Sequence, residues 1–204
     1  MMRPVHTLWL ATVATTMLLY ATSARADAGL PMLMLTWPGM AIALVPIVAI
    51  EAFVIARCLQ LRFVRAAKIS LRANIVSTIV GVPLAWMAML MLEFVTTFVA
   101  VGLERVFGER LRFTSEPAVA ASLGAAWLTP FESDFYWMVP TAALVLLVPN
   151  LAVSCWLESL VALAALPGFE KARVRQAIFW ANISSYVLLG ACVAALLVHA
   201  IVTH

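Results

Sequence analysis

The sequence predicts an all-α integral membrane protein whose four transmembrane helices form one bundle. Of its 204 residues, 65% are hydrophobic and only 11% are charged. Soluble domains are about 45–50% apolar and about 25% charged, and a domain of this size leaves about a third of its surface in water. So large an apolar excess cannot be hidden from water, and lipid must therefore surround much of the chain.

Four apolar segments follow one another along the chain, and each is long enough to cross a bilayer at about 20 residues per crossing. The predicted helices are residues 35–56, 73–101, 136–166 and 179–202. The second segment is long for one crossing, so we expect it to be tilted or to have hydrated ends. Residues 27–204 are predicted to form a single transmembrane domain.

The N-terminal residues 1–26 are predicted to be a cleaved secretory signal peptide. Arg3 and His6 give a polar start, and an apolar run too short to span comfortably extends to Tyr20. Residues 24–26, Ala-Arg-Ala, then supply the small-residue pattern of a cleavage site. The alternative is an uncleaved first helix that acts as a signal anchor.

Basic residues mark two connections as cytoplasmic. The first apolar segment is followed by a basic stretch without acids, and the third by a loop with three basic residues and one acid. The basic residues are Arg57, Arg62, Arg65, Lys68 and Arg72 in the first stretch, and Lys171, Arg173 and Arg175 in the second. Because cytoplasmic loops carry an excess of Lys and Arg, both mature termini are predicted to lie on the periplasmic side of a bacterial inner membrane.

Residues 103–135 form the predicted outer loop. They carry no positive bias, as expected outside the cytoplasm. Aromatic side chains crowd the chain from Trp127 to Trp137, and amphipathic rings of this kind favour the headgroup layer. We therefore predict that residues 117–128 form a short interfacial helix or a re-entrant segment.

A tandem repeat of two helix pairs is one interpretation of the sequence. Each pair has an intramembrane glutamate, a basic connection and then an Ala-Asn-Ile segment followed by serine. The corresponding residues are Glu51, Asn74 and Ser77 in the first pair, and Glu158, Asn182 and Ser185 in the second. Both pairs have the same orientation, so the repeat would be related by an axis along the membrane normal. The alternative is a chance similarity between short, common residue patterns.

Small and polar residues line one face of the second and fourth helices. The spacing of these residues matches the helical repeat, which places them on one face of each helix. The stripes are Asn74, Ser77, Gly81 and Ala85 on the second helix, and Asn182, Tyr186, Gly190 and Ala194 on the fourth. Small residues let helices approach closely in lipid, and Ser or Asn can bond across the contact. These stripes are interpreted either as packing seams or as part of a ligand site.

The intramembrane carboxyls are the strongest functional candidates. A charged side chain at the bilayer centre costs at least about 2.5–3.5 kcal/mol, so such residues mark sites by default. Glu51 and Glu158 both lie on the predicted cytoplasmic side of the centre. The alternative is a structural hydrogen bond from Asn74 to Glu51 and from Asn182 to Glu158. Glu93 is predicted to be a hydrated interfacial acid.

Catalytic and cofactor motifs are not found in the sequence. It contains no phosphate-binding glycine loop, no zinc-protease motif and no paired histidines at helical spacing. Its three cysteines, Cys58, Cys155 and Cys192, are an odd number without close pairs, which argues against a disulfide framework. We expect no catalytic residue, cofactor or metal, and the loop charges account for the net charge of +3 without nucleic acid.

Three function classes remain, in order of preference. The first is a non-enzymatic accessory or scaffold protein that binds lipid, other membrane proteins or a second copy of itself. The alternative is a small ion- or proton-coupled transporter that uses Glu51 and Glu158. An intramembrane enzyme ranks last because no nucleophile is visible. Under each, the candidate polar site is Glu51, Asn74, Ser77, Glu158, Asn182 and Ser185.

Overall fold

The chain folds into an antiparallel bundle of four membrane-length helices in a computed structural model, which describes residues 30–107, 122, 124–128 and 135–203. The helices are α1 (Met32–Leu59), α2 (Phe63–Val76), α3 (Val82–Phe107), α4 (Phe135–Ala165) and α5 (Lys171–Thr203). A π-helical turn, Ser77–Gly81, joins α2 and α3 into one span. The predicted signal peptide and most of the predicted outer loop lie outside the described residues.

Among the residues that the structure describes, four spans are long and apolar enough to cross a membrane, as predicted for this part of the chain. Large apolar side chains remain exposed around the bundle; Ile42, Phe98 and Val202 are each more than 75% exposed. Soluble monomers rarely expose contiguous apolar surface on this scale. The outer surface of the bundle is therefore a lipid-facing surface.

Two helices begin earlier than the sequence predicted. The second span begins at Phe63 instead of residue 73, and the fourth at Lys171 instead of residue 179. The basic residues before the predicted helix starts suggested loops. In α2, however, these residues occupy the exposed face of an amphipathic helix. The buried face of α2 consists of Ala66, Ile69, Ser70, Ala73 and Asn74. The connections at this end, which we call the basic end, therefore shrink to residues 60–62 and 166–170.

The helices are arranged so that α1 and α4 lie diagonally. α1 packs against α2 and α5, and α4 packs against α5 and the α2–α3 span. Between the bundle interior and the basic end lies a buried apolar cluster, which we call the inner core. It consists of Ala52, Ile55, Leu59, Ala66, Ile69, Ala162, Leu166, Val174, Ala177, Ile178 and Ala181.

At the opposite end, two short strands cover the bundle. β1 (Leu30–Pro31) pairs antiparallel with β2 (Trp127–Leu128), so the described end of the predicted interfacial segment is extended instead of helical. The Trp86 indole N–H donates to the carbonyl that precedes β2 at 2.8 Å. Glu93 is half-buried and accepts the backbone N–H of Trp127 at 3.3 Å. This acid, predicted to be hydrated, anchors the strand.

The π-helical turn ends two residues before Pro83. Proline has no backbone N–H and cannot complete the α-helical bond to the residue four positions earlier, and the wider turn accommodates that loss. The turn also brings two helices close together, because a Cβ on Gly81 would lie 3.1 Å from a methyl of Leu157 and 3.3 Å from one of Val153. Such π-helical turns are frequent at functional sites.

Candidate functional site

The six residues singled out in the sequence lie together in one buried cluster, which we call the polar ring. With Ser70 as a seventh member, every residue of the ring is at most 5% exposed. The ring comprises Glu51, Ser70, Asn74, Ser77, Glu158, Asn182 and Ser185. At about 1.5 Å per residue, its members lie roughly 10–20 Å from the helix termini at the basic end.

Glu51 of α1 is held by three side chains. The Asn74 amide donates to Oε2, and the Ser70 hydroxyl donates to the same oxygen at 3.1 Å. The Ser185 hydroxyl of α5 donates to Oε1 at 2.8 Å. The carboxyl therefore joins the first helix pair to the second.

Glu158 of α4 is held by two side chains in the matching way. The Asn182 amide donates to Oε2 at 2.8 Å, and the Ser77 hydroxyl donates to Oε1 at 2.8 Å. Each glutamate thus accepts an amide from its own helix pair and a hydroxyl from the other pair. The bonds follow the correspondence on which the tandem repeat was predicted; the duplication itself stays a prediction.

Each cross-pair serine lies between two acceptors. Ser77 Oγ is 2.8 Å from Glu158 Oε1 and 3.2 Å from the Asn74 carbonyl. Ser185 Oγ is 2.8 Å from Glu51 Oε1 and 3.0 Å from the Asn182 carbonyl. A serine has one O–H to donate and two lone pairs that accept, so it cannot donate to both acceptors at once.

The double contact suits a carboxyl in either protonation state. When the carboxyl is ionised, the serine O–H donates to it. When the carboxyl is protonated, its own O–H donates to serine Oγ, and the serine O–H turns to the backbone carbonyl three residues earlier. Neither arrangement leaves the serine unpaired, and no heavy atom has to move.

No cation balances the two carboxyls within the part of the chain that the structure describes. No Lys, Arg or His there contacts Glu51 or Glu158. The described residues also contain no group of three His, Cys, Asp or Glu side chains placed to hold a metal ion. The charges of the basic end are exposed, and those of α2 lie on the helix face opposite to Ser70 and Asn74.

Sequence reasoning missed several hydroxyl and amide groups beside the ring. Ser70 is one turn before Asn74, and Ser154 is one turn before Glu158; a search at intervals of four residues from the predicted site would have found both. Ser154 Oγ lies 2.9 Å from the Tyr186 hydroxyl. One turn further from the basic end, Asn150 is 8% exposed, and its Oδ1 has no hydrogen-bond partner.

The two small-residue stripes differ in their packing. Gly81 and Ala85 are buried, so the first stripe is a packing seam beyond the ring. Gly190 and Ala194 are only half-buried. The second stripe is therefore buried at Asn182 but partly exposed further along the helix. The close approach of the helices is therefore concentrated at the π-helical turn.

Comparisons with protein-family models, with curated proteins and with solved structures found no match to this chain. The chemistry of the polar ring is therefore the guide to function.

Proposed function

We propose that the chain is a small proton-coupled membrane carrier in which the polar ring is the proton-binding centre. The membrane is a bacterial inner membrane with the basic end in the cytoplasm, because exposed Lys and Arg residues concentrate at that end. The carrier is one of the two functions that the sequence suggested for Glu51 and Glu158.

The observation that supports this proposal is the pairing of two buried carboxyls with serines that fit both protonation states. A charge inside the bilayer costs at least about 2.5–3.5 kcal/mol, and a buried carboxylate without a counter-ion has to be neutralised. A proton is the smallest group that neutralises it. If the ring only held helices together, Asn and Ser side chains alone would bond across the contacts without that cost.

Flux measurements on purified protein in liposomes test the proposal. Glu51→Gln and Glu158→Gln remove the titrating groups but keep the volume and one acceptor oxygen. We expect each substitution to reduce proton-coupled flux by about tenfold or more, since removing a proton-transfer group typically costs a factor of about 10² to 10⁴.

The matched control is Glu93→Gln. Glu93 also lies in a membrane span, but it bonds the backbone of Trp127 and is outside the ring. Its amide variant keeps an acceptor for that N–H, so flux should stay near the wild-type level. Wild-type flux in both Glu51→Gln and Glu158→Gln would contradict the carrier proposal.

The second function is an accessory or scaffold protein, in which the ring locks the two helix pairs together. The tight closure of the inner core supports it, since a path from the ring to the basic end would need helix movement or a second copy of the chain. The partners would be other membrane proteins, lipid or another copy. Crosslinking in native membranes tests this function, and recovery of the monomer alone would count against it.

A further inference from the structure

A small cavity lies on the bundle axis beside the polar ring. Its volume is about 30 Å³, and all four spans line it. Its polar wall consists of Asn74, Ser77, Thr78, Ser154, Glu158 and Tyr186. One water needs a cavity of at least roughly 10–15 Å³ and two to four polar partners. The cavity therefore has room for a buried water, and its lining supplies the partners.

The cavity lies on the side of the ring away from the basic end. Ser154 precedes Glu158 by one turn on α4, which runs towards the basic end. Tyr186 follows Asn182 by one turn on α5, which runs away from it. On the other side of Glu158 the next turn carries Ala162 of the inner core, which is fully buried.

The two glutamates differ in their access to this cavity. Glu158 forms part of the wall, whereas Glu51 does not. One turn before Glu51 the chain has Ile47 where the second pair has Ser154. Glu51 also accepts a bond from Ser70, which has an apolar counterpart, Ile178, in the second pair.

We infer that the cavity holds a single water that exchanges protons with Glu158 from the side away from the basic end, while Glu51 reaches that water only through the ring. In the step, the proton leaves a Glu158 oxygen for the cavity water, and the Ser77 O–H turns to the carboxylate that remains. The water passes the proton to solvent on the side away from the basic end. The use of this step in transport rests on the proposed carrier function, but the exchange itself does not.

Infrared spectroscopy of the protein in lipid tests the inference through hydrogen–deuterium exchange of the carboxyl C=O band. Glu51→Gln leaves only Glu158 in the ring, and Glu158→Gln leaves only Glu51. Both variants are measured at a pH where the remaining carboxyl is protonated. We expect the band of Glu158 in Glu51→Gln to shift in D₂O about tenfold faster than the band of Glu51 in Glu158→Gln. Equal rates, or faster exchange of Glu51, would overturn the inference.

A cavity-filling variant gives a second test that keeps both glutamates. Ser154→Val replaces a wall hydroxyl with apolar volume and should slow the faster of the two exchange phases to the rate of the slower. Ser184→Val is the control, because the Ser184 hydroxyl bonds only the Trp180 carbonyl of its own helix. An unchanged fast phase in Ser154→Val would also contradict the inference.

The outcomes separate this inference from the carrier proposal. Loss of flux in both Gln variants with equal exchange rates would retain the carrier and reject one-sided access. Asymmetric exchange with wild-type flux in both variants would retain the water site and reject the carrier.

Discussion

At the scale of single residues, the polar ring depends on two serine hydroxyls that each serve a glutamate of the other helix pair. Ser77 and Ser185 make the side-chain bonds from one pair to the carboxyls of the other. A hydrogen bond to a charged group contributes about 1.5–3 kcal/mol, and a buried acceptor left unpaired is penalised by about 1–3 kcal/mol. These two hydroxyls therefore hold the pairs in register.

Ser77→Ala and Ser185→Ala are each expected to lower the free energy of unfolding by about 1–3 kcal/mol, because each leaves a buried carboxyl oxygen without its donor. Reversible unfolding in mixed micelles measures the change. Ser184→Ala is the matched control, since it removes only a bond to a carbonyl within α5, and should stay within about 0.5 kcal/mol of the wild type. Equal losses in Ser77→Ala and Ser184→Ala would show that the cross-pair bonds do not stabilise the bundle.

At the scale of the elements, the π-helical turn sets the distance between the α2–α3 span and α4. The turn carries Ser77 at its start, facing Glu158, and Gly81 at its end, facing Leu157 and Val153. The missing N–H of Pro83 and the missing side chain of Gly81 both act within this one turn. Placement of a ring residue and close packing of two helices thus share one local cause.

Gly81→Ala is expected to destabilise the bundle by about 1–3 kcal/mol through overpacking. The higher helix propensity of alanine offsets about 1 kcal/mol of that loss. Val153 is β-branched and cannot easily rotate away, so Val153→Ala should recover part of the loss. Unfolding measurements on the single and double variants test this expectation.

Gly190→Ala is the control for that prediction. A Cβ there would meet only a methyl of Leu147 at 3.7 Å, which is ordinary contact, so the substitution should be neutral or stabilising by up to about 1 kcal/mol. If Gly81→Ala and Gly190→Ala changed the free energy of unfolding equally, the contact at Gly81 would not limit the approach of α4.

At the scale of the whole molecule, the sequence predicted the four spans because the cost of exposing apolar side chains to water is local and additive along the chain. It also singled out Glu51 and Glu158, because an acid in an apolar segment stands out by itself. It did not predict which serine bonds which glutamate, since that depends on how the helices cross. The early starts of α2 and α5 were missed because exposed Lys and Arg occur in loops and on amphipathic helices alike.

The hydroxyls around the ring were harder to predict for a related reason. Ser70 and Ser154 can each satisfy a hydroxyl on their own helix backbone, so their presence in an apolar segment carries little information. The π-helical turn follows from Pro83 together with tertiary packing, and a proline alone predicts only a kink. Local chemistry could thus predict the members of the site, but the assembled bundle determines its connections.

The orientation of the molecule can be tested with its own cysteines. Cys58 is exposed at the basic end, one residue before α1 ends, whereas Cys192 is exposed on α5 within a membrane span. A membrane-impermeant maleimide should label Cys58 in inside-out vesicles but not in right-side-out vesicles, because exposed basic residues concentrate on the cytoplasmic side. Cys192 should resist the reagent in both, because its thiol faces hydrocarbon. Cys58→Ser should abolish the labelling, and labelling of Cys58 from the outside would invert the proposed topology together with the side from which protons reach Glu158.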